Sequence, residues 1–244
     1  YLIQTREALL NGSSIRIEPS LDVIARMIDD PPLVEKMYAL TSARGDVEED
    51  DTDIASSVNS MICCFKVARR MGYSPSGIEE ICLAALHHDI GMFLLPRTLL
   101  LKEGRLTEDE YAQLKKHTET GRDIMKPFDA DYPYLSRAIY EHHERENGRG
   151  YPCGLKGDEI CEYAKLIGLC DSYEAMTHAR SYRKAIDQHR SIVNLAESRT
   201  ELFSPYIIKV FLDELTVYPI GSYVRLNNGA LGVLCGNRSR RVSF

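Results

Sequence analysis

His88 and Asp89, His117, His142 and His143, and Asp171 combine, across four helical stretches, the donor types that hold a divalent cation. At helical spacing Ile78, Ile81, Ala85 and His88 share one face, with Asp89 beside it. Leu114, His117, Gly121 and Ile124 line a second stripe. Leu135, Ala138, Ile139, His142 and His143 line a third, and Ala164, Ile167, Gly168, Asp171 and Ala175 a fourth. A single histidine on an apolar stripe is ordinarily a core residue bonded to backbone, and a single buried aspartate a cap or an ion-pair partner. Four stripes that each turn His or Asp inward are a different case, because every unpaired buried polar group costs roughly 1–3 kcal/mol. A shared metal centre removes that cost. Imidazole and carboxylate donors without thiolate favour iron or manganese, with zinc as the next choice.

The chain that must position these residues has 244 of them, 44% hydrophobic and 27% charged, enough for a real core in one large domain or one domain with a small attachment. A net charge of −6 argues against charge-driven binding of a nucleic acid polymer or a membrane surface, but leaves room for a small anion in a local basic pocket. No apolar run approaches the roughly 18–20 residues of a membrane span, and no signal segment is present. Cys63, Cys64, Cys82, Cys153, Cys161, Cys170 and Cys235 form no CxxC pair and mostly sit in apolar helical runs. They read as reduced core thiols of a cytoplasmic protein rather than a zinc site. Beginning at Tyr1 without methionine, the sequence is expected to come from a longer protein.

Helical periodicity runs to about Leu215. "PSLDVIARMIDD" begins a helix with Ser20 as its expected N-cap, and "DDPPLVEKMYAL" restarts one after a Pro-Pro break. A long helix is expected from the acidic stretch "GDVEEDDTD" to Met71. Thr107 and Glu110 form a capping box at "LTEDEYAQLKKH", and Ser204 with Pro205 opens "FSPYIIKVFLDEL". After Leu215, "GSYVRLNNGALGVLCG" alternates and turns at Asn227-Asn228-Gly229, the pattern of a small β-hairpin. The expected fold is mainly α, a helical bundle with a short C-terminal β appendage.

"HDIG", "HHERENGRGYP" and "LCDSYEAMTHARSYR", in that order and with a KxH between the first two, resemble the HD-GYP family of bacterial cyclic-di-GMP phosphodiesterases. The resemblance runs from about Asp50 to the tail and divides the chain into an N-terminal helical segment (1–48), an HD-GYP metal-binding domain (49–216) and a β tail (217–244). It implies an HD-superfamily helical bundle with two divalent metals, and a metal-activated hydroxide that attacks phosphorus to give pGpG or GMP. Carried over by position, His88, Asp89 and Asp171 hold one metal. Asp89 bridges to a second held by His117, His142 and His143, so Asp89 and His88 are also the catalytic pair. His87 is not a ligand in this pattern. Gly150, Tyr151 and Pro152 shape the substrate side, and Arg180 and Arg183 look like a pair that contacts phosphate or guanine.

Two departures from the family pattern matter most, at Ser56 and Met92. Ser56 stands in "SSVNS" where the family has a metal-binding histidine, which is expected to weaken the first metal site. Thr52 stands where some members supply an extra carboxylate, so a third metal is not expected. Met92 stands where a lysine normally follows HDxG, removing a positive charge near the phosphate. His178, seven residues past Asp171, lies about 10.5 Å along a helix and is too distant to share its metal. The leading expectation is a cyclic-di-GMP phosphodiesterase, an enzyme of the phosphoric diester hydrolase class. The alternative is a degenerate HD-GYP domain that binds a nucleotide or a protein partner in second-messenger signalling without turnover. A hydrolase for another phosphate ester fits the intact GYP loop less well.

Overall fold

The computed structural model describes residues 1–42, 52–177, 188–198, 201–215, 223–226 and 229–233. Among these the chain is mainly α. Three helices, α1 (Leu2–Leu10), α2 (Glu18–Asp29) and α3 (Pro31–Ser42), precede the long α4 (Thr52–Met71) and α5 (Pro75–His87). A 3₁₀ turn at Ile90–Leu94 leads to α6 (Arg97–Leu100), α7 (Glu108–Lys115), α8 (His117–Met125) and α9 (Leu135–Glu141). Then come α10 (Glu162–Thr177), α11 (Gln188–Ser198), α12 (Pro205–Glu214) and a two-stranded hairpin, β1 (Tyr223–Arg225) with β2 (Leu231–Val233). The strands are antiparallel, with Val224 opposite Gly232. Asn227 and Asn228, the expected turn, lie outside the described residues.

Local signals set several of the helix starts. Ser74 caps α5 by accepting from Gly77 N at 3.2 Å, with Pro75 at the first helical position. Thr107 and Glu110 complete the capping box that starts α7, and Lys102 holds Glu110 in place at 2.6 Å. Asp53 in the first turn of α4 and Arg69 and Arg70 in its last complement the helix dipole. Ser20 does not cap α2. That helix starts earlier, with Pro19 in its first turn, and the buried Ser20 hydroxyl donates to Ile17 O at 2.6 Å instead. Proline's fixed φ suits the first turn better than the middle of an approach loop, so it outcompetes the serine as the start signal. Ser204 and Pro205 stand at the start of α12 as expected, though the Ser204 side chain makes no cap bond.

The core lies where α4, α5 and α10 pack together. Met61, Ile62 and Phe65 of α4, Ile81 and Leu83 of α5, and Ile167 and Leu169 of α10 are almost fully buried. Burying such a side chain contributes roughly 1.5–3 kcal/mol. Ile24 and Met27 of α2 and Leu135 and Ile139 of α9 extend the same cluster. Lys66 of α4, itself buried, pairs with Glu35 of α3 at 2.5 Å and lies 3.7 Å from Glu214 of α12, tying the early helices to the late ones. No helix among the described residues is long and apolar enough to cross a membrane.

Candidate metal centre

The donor residues sit at helix ends more than along helix faces. α5 stops at His87, so His88 is its C-cap and Asp89 precedes the 3₁₀ turn. The stripe expected through Leu114 and His117 is interrupted at Lys116, and His117 becomes the first residue of α8. His142 caps the C-terminus of α9 and His143 follows it. Asp171 alone lies inside a helix, α10. Helix C-termini carry partial negative charge, so the ends of α5 and α9 direct favourable potential towards a cation.

The same device orients three of the rings. Nδ1 of His88 donates to Ala85 O (2.8 Å), that of His117 to Leu114 O (2.8 Å) and that of His142 to Ile139 O (2.6 Å). A carbonyl can only accept, so each Nδ1 carries the proton and each Nε2 points inward. His87 is held differently. Its Nδ1 donates to Leu83 O and its Nε2 meets the Tyr1 hydroxyl, both at 2.8 Å, so neither nitrogen faces the centre.

Two donor groups result: His88, Asp89 and Asp171; and Asp89, His117, His142 and His143. Within each group the ligand atoms lie within 4.8 Å of one another. Asp89 divides its carboxylate between them. Oδ2 lies 3.4 Å from His88 Nε2, while Oδ1 lies 3.3 Å from His117 Nε2 and 3.7 Å from His142 Nε2. His88 Nε2 is 3.6 Å from Asp171 Oδ1. His88 Nε2 and Asp89 Oδ1 are fully buried with no hydrogen-bond partner. Buried polar atoms left in this way are costly, and a divalent cation between them satisfies both. The donor set therefore fits the metals that the sequence implies.

Electrostatics separate the groups. Burial pushes His117 down to about 4, and burial together with His142 holds His143 well below the usual histidine range. These rings are neutral at pH 7, the form a metal requires. Burial acts on His88 in the same direction, but the Asp89 and Asp171 carboxylates outweigh it and hold His88 well above that range. Burial would raise Asp89, yet His88 and its other imidazole neighbours keep it well below the usual carboxylate value.

The GYP loop closes one side of the centre. Tyr151 stacks on His143, centroids 4.6 Å apart and planes 28° from parallel, and its N–H donates to His143 O at 3.2 Å. Gly150 lies so close that a Cβ there would stand 2.4 Å from Glu144 Cα and 2.5 Å from His143 O. Pro152 follows Tyr151 through a cis bond and is half-buried. Arg180 and Arg183 lie outside the described residues, as does His178. Met92 is half-buried on the 3₁₀ turn. Ser56, in the first turns of α4, donates its hydroxyl to Glu174 of α10 at 2.6 Å.

Two residues without a role in the sequence reading stand out. Glu144 is buried, and its carboxylate accepts from the N–H groups of Cys153 (2.6 Å), Gly154 (3.0 Å) and Leu155 (3.0 Å), so it holds the loop in shape. Lys115 places its ammonium 5.7 Å from the Tyr151 ring centre and 5.0 Å from that of Tyr111, at the edge of the centre. Both stand in strings already singled out, Glu144 as the third residue of "HHERENGRGYP" and Lys115 as the lysine of the KxH.

The HD domain, as a known family, matches residues 24–207. The chain belongs to the HD-GYP branch of that family. It is 31% identical over 193 residues to a cyclic di-GMP phosphodiesterase of Pseudomonas aeruginosa, covering 79% of this chain and 46% of that protein. It is 33% identical over 147 residues to a cyclic di-GMP phosphodiesterase response regulator of Xanthomonas campestris, covering 60% and 39%. The chain thus spans less than half the length of these relatives. A solved HDG"Y"P protein from Bdellovibrio bacteriovorus shares the HD-GYP chain's fold, with a TM-score of 0.63 at 17% identity over 80% of this chain and 61% of the other. Membership of the HD-GYP branch implies divalent metal binding, in keeping with the two donor groups.

Proposed function

We propose that this HD-GYP chain is a metal-dependent phosphodiesterase that hydrolyses cyclic-di-GMP to pGpG or GMP. The observation that carries the reading is Asp89, whose two oxygens face two separate donor groups while a stacking tyrosine closes the site beside them. The relatives named above, described as cyclic di-GMP phosphodiesterases, support the substrate. His88, Asp89 and Asp171 would hold one divalent cation, and Asp89, His117, His142 and His143 the other. Iron or manganese suits these donors first and zinc next. When bound, such cations neutralise phosphate oxygens and lower the pKa of water.

The chain's own residues do the rest. The bonds from Nδ1 to backbone fix which nitrogen each ring offers, so no ring has to reorient as substrate arrives. Tyr151, stacked on His143, would be a platform for a base beside the centre, and Lys115 would add positive charge where a phosphodiester would lie. Glu144 keeps Tyr151 in register by anchoring the loop that follows it.

The second reading is a domain that binds without turning over, and Ser56 and Met92 favour it, one replacing a ligand and the other a charge. Cyclic-di-GMP turnover under Fe(II) and Mn(II) decides between them. Turnover by the unmodified chain supports the enzyme. No turnover, with activity gained in Ser56→His/Met92→Lys, supports the degenerate domain.

A further inference from the structure

The group of His88, Asp89 and Asp171 supplies three donor atoms, fewer than the four to six that first-row divalent metals take. It is nonetheless a built site, since His88 Nε2 is fully buried between the two carboxylates without a hydrogen bond to either. Glu174 lies three residues beyond Asp171 on α10, on the same face of the helix. It is buried, only 4% exposed, and its carboxylate accepts from Ser56 Oγ at 2.6 Å and Asn59 Nδ2 at 3.1 Å, both on α4. Side chains on a helix lean towards its N-terminus, which for Glu174 is the direction of Asp171.

We infer that Glu174 is a further protein ligand of the cation held by His88, Asp89 and Asp171. In the structure its carboxylate rests on Ser56 and Asn59, outside the three-atom group. Rotation about its side-chain torsions turns one oxygen towards that group, while the other keeps a hydrogen bond to α4, since each oxygen has two acceptor positions. Ser56 is then a support for the ligand and not a failed ligand. The donor set becomes one imidazole and three carboxylates, which suits Mn(II) or Fe(II) better than zinc. The other group, with three imidazoles, accepts zinc as well. The inference rests on the metal-centre reading but not on the substrate.

The test is Mn(II) binding to the chelator-stripped chain, with free Mn(II) read by electron paramagnetic resonance and no turnover measured. The unmodified chain binds two Mn(II). Glu174→Gln, which keeps the size of the side chain, weakens one of them at least about tenfold, the lower bound for loss of even a supporting group. Asp171→Asn weakens the same one, and Ser56→Ala, which retains the carboxylate and loses only its support, still binds two Mn(II) and weakens that site less than Glu174→Gln does. Glu174→Gln with two Mn(II) at unchanged affinity overturns the inference, as does Ser56→Ala weakening binding as much as Glu174→Gln. If Glu174→Gln does not match the melting temperature of the stripped parent, Glu174→Asp takes its place, with the same selective weakening expected. Absence of cyclic-di-GMP turnover would leave these outcomes untouched, so the two readings fail separately.

Discussion

A Cβ on Gly91 would stand 2.1 Å from the carbonyl oxygen of His117. The turn that follows Asp89 is thus pressed backbone to backbone against the start of α8, which fixes the separation between Asp89 and His117. Gly91→Ala forces these elements apart, at a cost of about 1–3 kcal/mol or more for overpacking. A displacement of about 1 Å at the centre lowers turnover about 100-fold. Thermal unfolding in chelator checks the first effect, and kcat with excess Mn(II) the second.

Glu144 and Lys115 are expected to govern substrate binding and to leave metal content unchanged. Glu144→Ala leaves the N–H groups of Cys153, Gly154 and Leu155 without their acceptor and loosens the Tyr151 platform. The expected outcome is a rise in KM of at least about tenfold, taking loss of at least two of these three hydrogen bonds at about 1 kcal/mol each. Full metal loading, measured by elemental analysis, separates this from damage to the centre.

Lys115→Met removes the ammonium beside Tyr151 and Tyr111. A charged hydrogen bond is worth roughly 1.5–3 kcal/mol, so KM rises about 10–100-fold. Lys115→Arg keeps the charge and restores most of the affinity. The dependence of kcat/KM on salt flattens in Lys115→Met and persists in Lys115→Arg.

His87 makes the fold sensitive to acid. Burial lowers its pKa to about 4, against about 6.5 in an unfolded chain. Between those values the unfolded chain binds more protons, so stability rises with pH there, and above about 6.5 His87 contributes no slope. Going down from pH 6.5 to 4, the native state loses about 3 kcal/mol through this residue. The unfolding free energy of His87→Gln in chelator therefore falls less steeply over that window than the parent's.

That these His and Asp residues come together was legible because their types are rare on apolar stripes and because the surrounding motifs are specific. What the stripes misrepresented was where the helices end. The 3.6-residue period runs smoothly through Leu114 and His117, but the chain breaks at Lys116, and the break is what brings His117 Nδ1 to the Leu114 carbonyl. Periodicity reports which face is buried and not where backbone hydrogen bonding stops. Glu144 and Glu174 were invisible for another reason. Glu144 looks like an ordinary acid after a helix, and Glu174 like one within a helix, until folding brings them against backbone N–H groups 9 to 11 residues away and against a serine 118 residues away. Ser20 shows the reverse error, a residue of the right type for a cap, displaced by a proline one position earlier.

The central claim is that one carboxylate serves both donor groups. Metal content and cyclic-di-GMP turnover of Asp89→Ala, measured beside His143→Ala, test it most directly. His143 belongs to one group only, so His143→Ala should lose one metal and retain the other. Asp89→Ala should weaken both and abolish turnover. An Asp89→Ala protein that holds one metal with unchanged affinity, or that still hydrolyses cyclic-di-GMP, would contradict the account.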